Sequence, residues 1–353
     1  MLSASGFSYK MHVDTLIIGA GPGGLACAKA LAGQGQNVLV LERKFHIGKK
    51  VCAGGVTYSG LISRLPADLV ERSFSTQHVY SKYQHCAITE KSPIIATVNR
   101  EKLGLVMAAQ ATAAGAVIRC ATIARKIKKN SAEIYDKTSR NTEIITFDYL
   151  VGADGSSSLV RRSLGLKCEK FGVGINYTVA GSQTEMEWHL NSKLFANGYA
   201  WIFPHTDTVS VGAYAPKSRT SPARLKKALI QWGQKQGYSL AQEKAKAEYI
   251  NFDFRGWKFN RVFLAGDAAG LASGLTGEGI YPAILSGEQI AATILNSGHS
   301  TKIMDDLIKR HRQHSRMLSI SGKSEILNTL LSELMTLGLR SGIVRFSQME
   351  MAG

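Results

Sequence analysis

A glycine-rich turn near the start of the chain constrains the fold more than any other feature. Residues 19–24 read Gly-Ala-Gly-Pro-Gly-Gly and match the pattern G-x-G-x-x-G at Gly19, Gly21 and Gly24. The first glycine permits a tight turn, the second lets a pyrophosphate approach the backbone, and the third lets a strand and a helix pack closely. The N–H groups at a helix start then bind the phosphates. The turn therefore predicts a dinucleotide site.

The segments on either side of this turn strengthen that prediction. An apolar run at 12–18 precedes it, an alanine-rich helical pattern at 25–31 follows it, and a second apolar run at 37–41 ends at Glu42. Strand, helix and strand within about 30 residues indicate a parallel sheet. A carboxylate at the end of the second strand binds the ribose hydroxyls of a dinucleotide. We assign this role to Glu42.

The composition excludes several classes of protein. The 353 residues, 44% hydrophobic and 20% charged, exclude collagen-like, coiled-coil and disordered chains, and they suffice for about two domains. Neither a disulfide framework nor a metal site is expected, because the five cysteines form no C-x-x-C and the nine histidines show no zinc spacing. This cysteine usage predicts a reducing, cytoplasmic location. Residues 1–10 are predicted to be an unstructured lead, with Met11 as an alternative start.

The charge balance is strongly basic, with 43 Lys and Arg against 26 Asp and Glu and a net charge of +17. No compact basic run or zinc-finger spacing accompanies it, so nucleic-acid binding is not expected. Basic amphipathic stretches at 224–235 and 309–316 predict peripheral association with an anionic membrane surface; an inert basic surface is the alternative. No further stretch is long and apolar enough to predict a membrane-spanning helix.

Two later segments distinguish FAD from NAD. Residues 151–161 (VGADGSSSLVR) and 263–270 (FLAGDAAG) each follow a strand pattern. Together with the turn at 19–24, they resemble the three cofactor-binding boxes of FAD-dependent enzymes with the para-hydroxybenzoate hydroxylase fold. The resemblance implies that Asp154 and Gly155 lie near the pyrophosphate and that Asp267 contacts the ribitol. It also implies that Arg100 opens a helix beside the cofactor.

A narrower resemblance, to geranylgeranyl reductase-like proteins, covers most of residues 12–295. It rests on a cysteine–glycine loop at 50–55 (KVCAGG), on the aromatic segment at 198–204 (GYAWIFP) and on residues 270–280. The chain departs from the hydroxylases of the fold at Gly270 and Ile280, where they usually carry His and Asn. Gly274 replaces a proline that is usual in both groups, which predicts a looser loop beside the flavin ring.

These resemblances imply an α/β fold: a Rossmann-like FAD-binding domain, an antiparallel β-sheet substrate domain and C-terminal helices. The FAD-binding domain is predicted to comprise 11–60, 95–165 and 255–295, the substrate domain 61–94 and 166–254, and the helical region 296–353. The predicted cofactor-binding residues are Gly19, Ala20, Gly21, Gly23, Gly24, Glu42, Arg43, Cys52, Ala53, Gly54, Arg100, Asp154, Gly155, Gly266, Asp267, Gly277, Gly279 and Ile280.

The predicted catalytic residues are Cys52, Tyr199, Trp201 and Tyr281. Tyr199, Trp201 and Phe203 alternate, so in a strand they share one face. They either pack a core or wall an apolar substrate cavity. Cys52 is either a small residue in a crowded loop or a thiol near the flavin. Cys52, Tyr199 and Tyr281 remain alternatives for the acid that protonates the substrate.

The function that the resemblance implies is FAD-dependent reduction of carbon–carbon double bonds in an isoprenoid or lipid-like substrate. The alternatives are a flavin monooxygenase of the hydroxylase or halogenase type, and a flavin-binding electron-transfer or resistance protein without a committed substrate. No second G-x-G-x-x-G follows a strand. The electron donor is therefore expected to be transiently bound NAD(P)H or a small redox protein. The sequence leaves the oligomeric state open.

Overall fold

The computed structural model describes residues 11–48, 50–57, 61 and 66–352. The prediction for residues 1–10 lies outside this range. The strands are β1 (Met11–Ile18), β2 (Val38–Leu41), β3 (Gly55–Thr57), β4 (Val70–Phe74), β5 (Thr76–Tyr80), β6 (His85–Thr89), β7 (Ile95–Val98), β8 (Val117–Arg119), β9 (Thr122–Lys128), β10 (Ser131–Asp136), β11 (Thr142–Gly152), β12 (Phe171–Ala180), β13 (Glu187–His189), β14 (Tyr199–Pro204), β15 (Thr208–Pro216), β16 (Lys246–Asn251), β17 (Lys258–Phe259) and β18 (Val262–Leu264). The helices are α1 (Pro22–Ala32), α2 (Arg100–Ala113), α3 (Leu159–Ser163), α4 (Ser192–Phe195), α5 (Pro222–Lys235), α6 (Ile280–Leu295), α7 (Lys302–Ser321) and α8 (Glu325–Arg340).

The first sheet is the parallel sheet that the glycine turn predicts. Its order is β17-β18-β11-β1-β2-β8, and β18, β11, β1, β2 and β8 run parallel. Strands β9 and β10 add an antiparallel extension to β11. Alternate residues of β1 and β2 belong to different core clusters, one on each face of the sheet. Both faces are covered, which explains why β2 is apolar at every position.

Helix α1 packs against α6 through glycine. It begins at Pro22 rather than at residue 25, because proline suits the first turn of a helix. A Cβ added to Gly23 would lie 2.9 Å from the carbonyl oxygen of Ala283, and one added to Gly287 would lie 2.1 Å from that of Gly23. Glycine at both positions therefore lets the two helices approach closely behind the nucleotide turn.

The second sheet is mainly antiparallel and has the order β16-β12-β15-β14-β13-β5-β6. Only its β13–β5 pair is parallel. Helix α5 covers this sheet with Leu225, Leu229 and Trp232. A small sheet of β3, β7 and β4 joins segments assigned to both predicted domains, so the domain boundaries remain a prediction.

The long helices α7 and α8 follow α6 and complete the predicted α/β fold with C-terminal helices. Within the part of the chain that the structure describes, no helix has the length and apolarity needed to cross a membrane.

Candidate functional site

A cavity of about 470 Å³ is lined by residues of both large sheets. The loops after β1 and β11 line one part of it, and side chains of β14 and β15 line another. Its walls include the four predicted catalytic residues and every predicted cofactor-binding residue except Gly24 and Gly54. Gly24 packs on the Gly19 carbonyl, and a Cβ at Gly54 would lie 2.4 Å from the His205 ring.

The three glycines of the first turn have different surroundings. Gly19 has a φ of +107°, and a Cβ there would lie 2.3 Å from the carbonyl oxygen of Ala153. A Cβ at Gly24 would lie 2.0 Å from the carbonyl oxygen of Gly19. Gly21 instead borders the cavity, and the nearest atom to its added Cβ would be the Ala153 oxygen at 3.8 Å. Gly21 is therefore the position where a ligand can approach the backbone of the turn.

Glu42 follows β2, and the backbone fixes its carboxylate at the cavity. Oε2 accepts a hydrogen bond from the N–H of Ala20 at 3.1 Å, and Oε1 accepts one from the N–H of Lys44 at 2.9 Å. A carboxylate oxygen can accept more than one hydrogen bond, so both oxygens can still accept from ligand hydroxyls. This geometry suits a ribose.

The loop after β11 brings Asp154 and Gly155 to the same cavity. Oδ2 of Asp154 accepts a hydrogen bond from the N–H of Leu159 at 2.6 Å. Its Oδ1 is buried without a hydrogen-bond partner among the described residues, and burial raises the pKa of this carboxyl group. Gly155 has a φ of +77° with open space around it. Glycine is favoured there by backbone conformation rather than by crowding.

Asp267 lies in the loop after β18 and forms a small polar cluster. Its Oδ2 accepts hydrogen bonds from Lys50 Nζ at 3.0 Å and from Ser156 Oγ at 3.1 Å. The charge of Asp267 raises the pKa of Lys50. The sequence did not single out Lys50, although the loop containing it was noted. Lys50 lies 217 residues from Asp267, and only the fold shows that they form a pair.

Arg100 opens α2, as predicted, and this half-buried residue lines the cavity. Its Nη1 has no hydrogen-bond partner among the described residues, and burial lowers its pKa. An unsatisfied buried donor is costly unless a ligand completes it. A cation in this position suits an anionic group.

The aromatic residues of β14 form an apolar wall. Tyr199, Trp201 and Phe203 all line the cavity, and the successive ring centroids are 6.0 and 6.1 Å apart. Trp201 Nε1 donates to Ser210 Oγ at 3.0 Å, and the Tyr199 hydroxyl donates to the carbonyl oxygen of Thr276. These bonds satisfy the polar atoms. The residues therefore pack a core and wall a cavity at once.

Glu278 is a half-buried acid in the cavity wall that the sequence analysis missed. Burial raises its pKa to about 7. Its Oε2 accepts a hydrogen bond from the N–H of Met351 at 2.8 Å. The only sequence signal was a carboxylate within the glycine-rich segment at 274–279. Cys52, Tyr199 and Tyr281 also line this cavity, so it contains four candidate acids.

The loop at 270–278 explains two departures from the hydroxylases. Gly270 has a φ of +81°, and a Cβ there would lie 2.4 Å from the carbonyl oxygen of Asp253, so no room exists for histidine. Gly274 packs against Phe252 and Leu318, leaving no room for proline. The Tyr214 hydroxyl donates to the carbonyl oxygen of Gly274 at 2.8 Å. The prediction that Gly274 loosens the loop is therefore wrong, because packing and hydrogen bonds hold it.

Comparison with known proteins assigns the family. The family described as FAD binding domain matches residues 12–294. The chain belongs to this family. An uncharacterized protein of Methanosarcina barkeri is 31% identical over 302 residues, covering 83% of this chain and 76% of that protein. Digeranylgeranylglycerophospholipid reductase 2 of Methanosphaera stadtmanae is 28% identical, covering 83% of this chain and 81% of the relative.

A solved structure supports the fold of this FAD binding domain protein. A geranylgeranyl bacteriochlorophyll reductase-like protein from Thermoplasma acidophilum superimposes with a TM-score of 0.82 at 20% identity, covering 97% of this chain and 96% of the other. The predicted fold and the resemblance to geranylgeranyl reductase-like proteins are confirmed. The chain is an FAD-dependent oxidoreductase of this family.

Proposed function

We propose that this oxidoreductase reduces carbon–carbon double bonds of an isoprenoid or another lipid-like apolar substrate. The observation that carries the proposal is the single cavity shared by the nucleotide-type turns and the aromatic wall of β14. A substrate held against that wall would lie in the same cavity as the cofactor. The reductase named among the relatives also supports this substrate class.

The residues around the cavity fit FAD. Glu42 would bind the adenosine ribose, the turn around Gly21 the pyrophosphate, and Arg100 an anionic or carbonyl group. Lys50 and Asp267 would contact the polar chain that links the pyrophosphate to the ring. FAD, once reduced by the electron donor, would supply two electrons and one of the two hydrogens that saturate a double bond, as a hydride. The chain itself must supply the second hydrogen as a proton.

We propose Glu278 as a fourth candidate for that acid, beside Cys52, Tyr199 and Tyr281. An acid works best when its pKa lies near the working pH. The pKa of Glu278 is raised to about 7 by burial, whereas burial raises the pKa of Tyr199 above its ordinary value of 10.0. Glu278 is therefore the better donor at neutral pH, provided that its carboxyl group reaches the substrate.

Replacing Glu278 by glutamine should identify the acid. The single-turnover rate of the wild-type protein should fall as the pH rises through about 7, because the deprotonated carboxylate has no proton to give. In Glu278→Gln this dependence should disappear, and the rate should fall about 100-fold. Glutamine can still accept the hydrogen bond from Met351. Flavin reduction by dithionite is the control and should be unchanged; a variant that keeps the pH dependence would assign the proton to another group.

The electron donor is proposed to be NAD(P)H or a small redox protein. We also propose a cytoplasmic location, in contact with an anionic membrane. Five unpaired cysteines support a reducing compartment. The excess of basic residues supports the membrane contact.

An anaerobic assay tests the reaction. Dithionite-reduced protein mixed with a geranylgeranyl lipid should yield a product that has gained two hydrogens per double bond, detected by mass spectrometry. An oxygen-dependent gain of one oxygen atom would instead establish a monooxygenase. Recovery of unchanged lipid under both conditions would favour a flavoprotein without this substrate.

A substitution of Trp201 tests whether the aromatic wall binds the substrate, and the same substitution at Trp232 is the control. Both indoles are 5% exposed, but Trp201 lines the cavity whereas Trp232 packs beneath the second sheet on α5. Trp201→Leu should lower kcat/KM for the lipid at least about tenfold, equivalent to about 1.4 kcal/mol of lost substrate contact. Its FAD affinity should stay within about twofold. Trp232→Leu carries a similar packing defect and should change neither quantity.

A further inference from the structure

Helix α8 presents an apolar stripe to the solvent. Ile326 is 83% exposed and Leu330 and Leu334 are each 53% exposed. Residues three or four positions apart lie on one face of a helix, so these side chains, with Leu337, form a continuous row. Met317 and Ile320 at the end of α7, and Ile343 after α8, are exposed as well. Contiguous exposed apolar surface of this kind marks a site of interaction.

The opposite side of α8 is fixed to the protein by apolar and polar contacts; Leu339 is buried in a hydrophobic cluster against which Met335 packs. Asn328 Nδ2 donates to the carbonyl oxygen of Ala196 at 2.7 Å. At the edge of the stripe, Ser81 Oγ donates to the Glu333 carboxylate at 2.9 Å. An ordinary surface helix buries its apolar side and exposes its polar side. In α8 both sides carry apolar residues: Leu339 and Met335 pack inside, and the leucine row remains outside.

Exposed cations precede and follow the stripe in the sequence. Between residues 312 and 345 the exposed charged residues include a single acid, Glu325. The exposed cations there are Arg312, Arg316, Lys323, Arg340 and Arg345. Two copies of this surface would repel each other, whereas an anionic bilayer offers both an apolar interior and negative head groups.

We propose that the apolar stripe of α8 and its flanking cations form the membrane-docking surface, with the leucine row inserted into the interface of an anionic bilayer. The proposal moves the contact away from α5, whose apolar residues Leu225, Leu229 and Trp232 are buried in the core. Of the two basic stretches predicted from the sequence, 309–316 lies on α7, the helix that precedes α8.

Residues that follow the stripe in the chain line the cavity. Phe346 and Met349 line the cavity, and the Phe346 ring stacks on Trp188 at 5.5 Å between centroids. Ile343, which is 81% exposed, precedes Phe346 by three residues. Docking would therefore bring a wall of the cavity close to the bilayer. This last step rests on the proposed lipid substrate, whereas docking itself does not.

Sedimentation of the FAD-loaded full chain with vesicles tests the proposal. The double variant Leu330→Glu/Leu334→Glu should bind vesicles of phosphatidylglycerol and phosphatidylcholine at least about tenfold more weakly than the wild-type protein. The control Leu105→Glu/Val117→Glu makes the same charge change at positions 52% and 48% exposed elsewhere. It should stay within about twofold. Circular dichroism and bound FAD confirm that each variant is folded.

Fluorescence separates insertion from surface attraction. In Leu334→Trp the added indole should shift its emission to the blue when vesicles are present, and in Leu105→Trp it should not. Unchanged vesicle binding of the double variant would overturn the proposal. Loss of vesicle binding in Lys226→Glu/Lys227→Glu alone would assign the contact to α5 and would also overturn the proposal. The same holds if the wild-type protein is a dimer and Leu330→Glu/Leu334→Glu is a monomer that binds vesicles as the wild-type protein does. None of these measurements uses the lipid reduction assay, so failure of the reductase proposal would be seen separately.

Discussion

Replacing Gly21 by valine should give a folded protein that no longer binds FAD. The backbone at Gly21 has φ −79° and ψ 177°, an extended conformation that valine adopts readily. The added Cβ would meet only the Ala153 oxygen, at 3.8 Å, so the side chain would extend into the cavity. It would occupy the space assigned to the pyrophosphate. FAD affinity should fall at least about 100-fold, or about 2.7 kcal/mol.

Absorbance and thermal unfolding measure this loss directly. The wild-type protein should be yellow, release FAD rather than FMN on denaturation, and gain melting temperature with added FAD, because a ligand stabilises the state that binds it. Gly21→Val should be colourless and show no gain. Gly298→Val, at a surface glycine where a Cβ would meet only the Asn296 side chain at 3.4 Å, is the control and should stay yellow. A yellow Gly21→Val protein with a full complement of FAD would place the pyrophosphate elsewhere.

The nucleotide end of the site could be predicted because its signals are local. Gly19, Gly21 and Glu42 belong to one strand–helix–strand unit, so their spacing in the sequence nearly fixes their spacing in the fold. The alternation of Tyr199, Trp201 and Phe203 likewise predicts one face of a strand, and the structure confirms it. In such segments neighbouring residues in sequence are also neighbours in space.

The features that the sequence could not show depend on contacts between distant segments. Gly287 is required by the approach of α6 to Gly23, and nothing around Gly287 in the sequence indicates that contact. The raised pKa of Glu278 depends on burial by surrounding segments, including the one that contains Met351. The exposure of Leu330 could not be predicted either. A leucine row in a helix normally faces the core, but α8 carries further apolar residues, including Leu339 and Met335, that pack inside instead.

His311 and His314 should each reduce the stability of the protein as the pH falls below about 6.5. His311 and His314 on α7 are each 3% exposed, and burial lowers the pKa of each to about 4. Their pKa in an unfolded chain is about 6.5. Between these values the unfolded state takes up protons that the folded state refuses, so the free energy of unfolding falls as the pH falls. Each histidine contributes about 3 kcal/mol over the full interval.

The contribution of Glu278 to the pH dependence of the free energy of unfolding has the opposite sign. Its pKa is raised to about 7 in the folded protein, against about 4.3 when unfolded. Between these values the folded state holds a proton that the unfolded state releases. This contribution therefore grows as the pH falls through 7 and offsets one histidine. Asp154, whose pKa is also raised by burial, acts in the same direction as Glu278. The two carboxyl groups therefore oppose the two histidines, and the contribution of one histidine is measured by comparing the wild-type protein with a histidine variant.

The variant His314→Asn should flatten this dependence. The ring nitrogen Nδ1 of His314 lies 2.8 Å from Ser273 Oγ, and an asparagine amide can replace that hydrogen bond without titrating. With one histidine removed, the free energy of unfolding in denaturant should fall by about 2 kcal/mol less than that of the wild-type protein between pH 6.5 and 4.5. His12→Asn is the control at an exposed histidine, and it should keep the full slope of the wild-type protein. An equally steep slope in His314→Asn would show that this histidine becomes charged within the folded protein, and the acid sensitivity would then have to arise from His311 or from other buried groups.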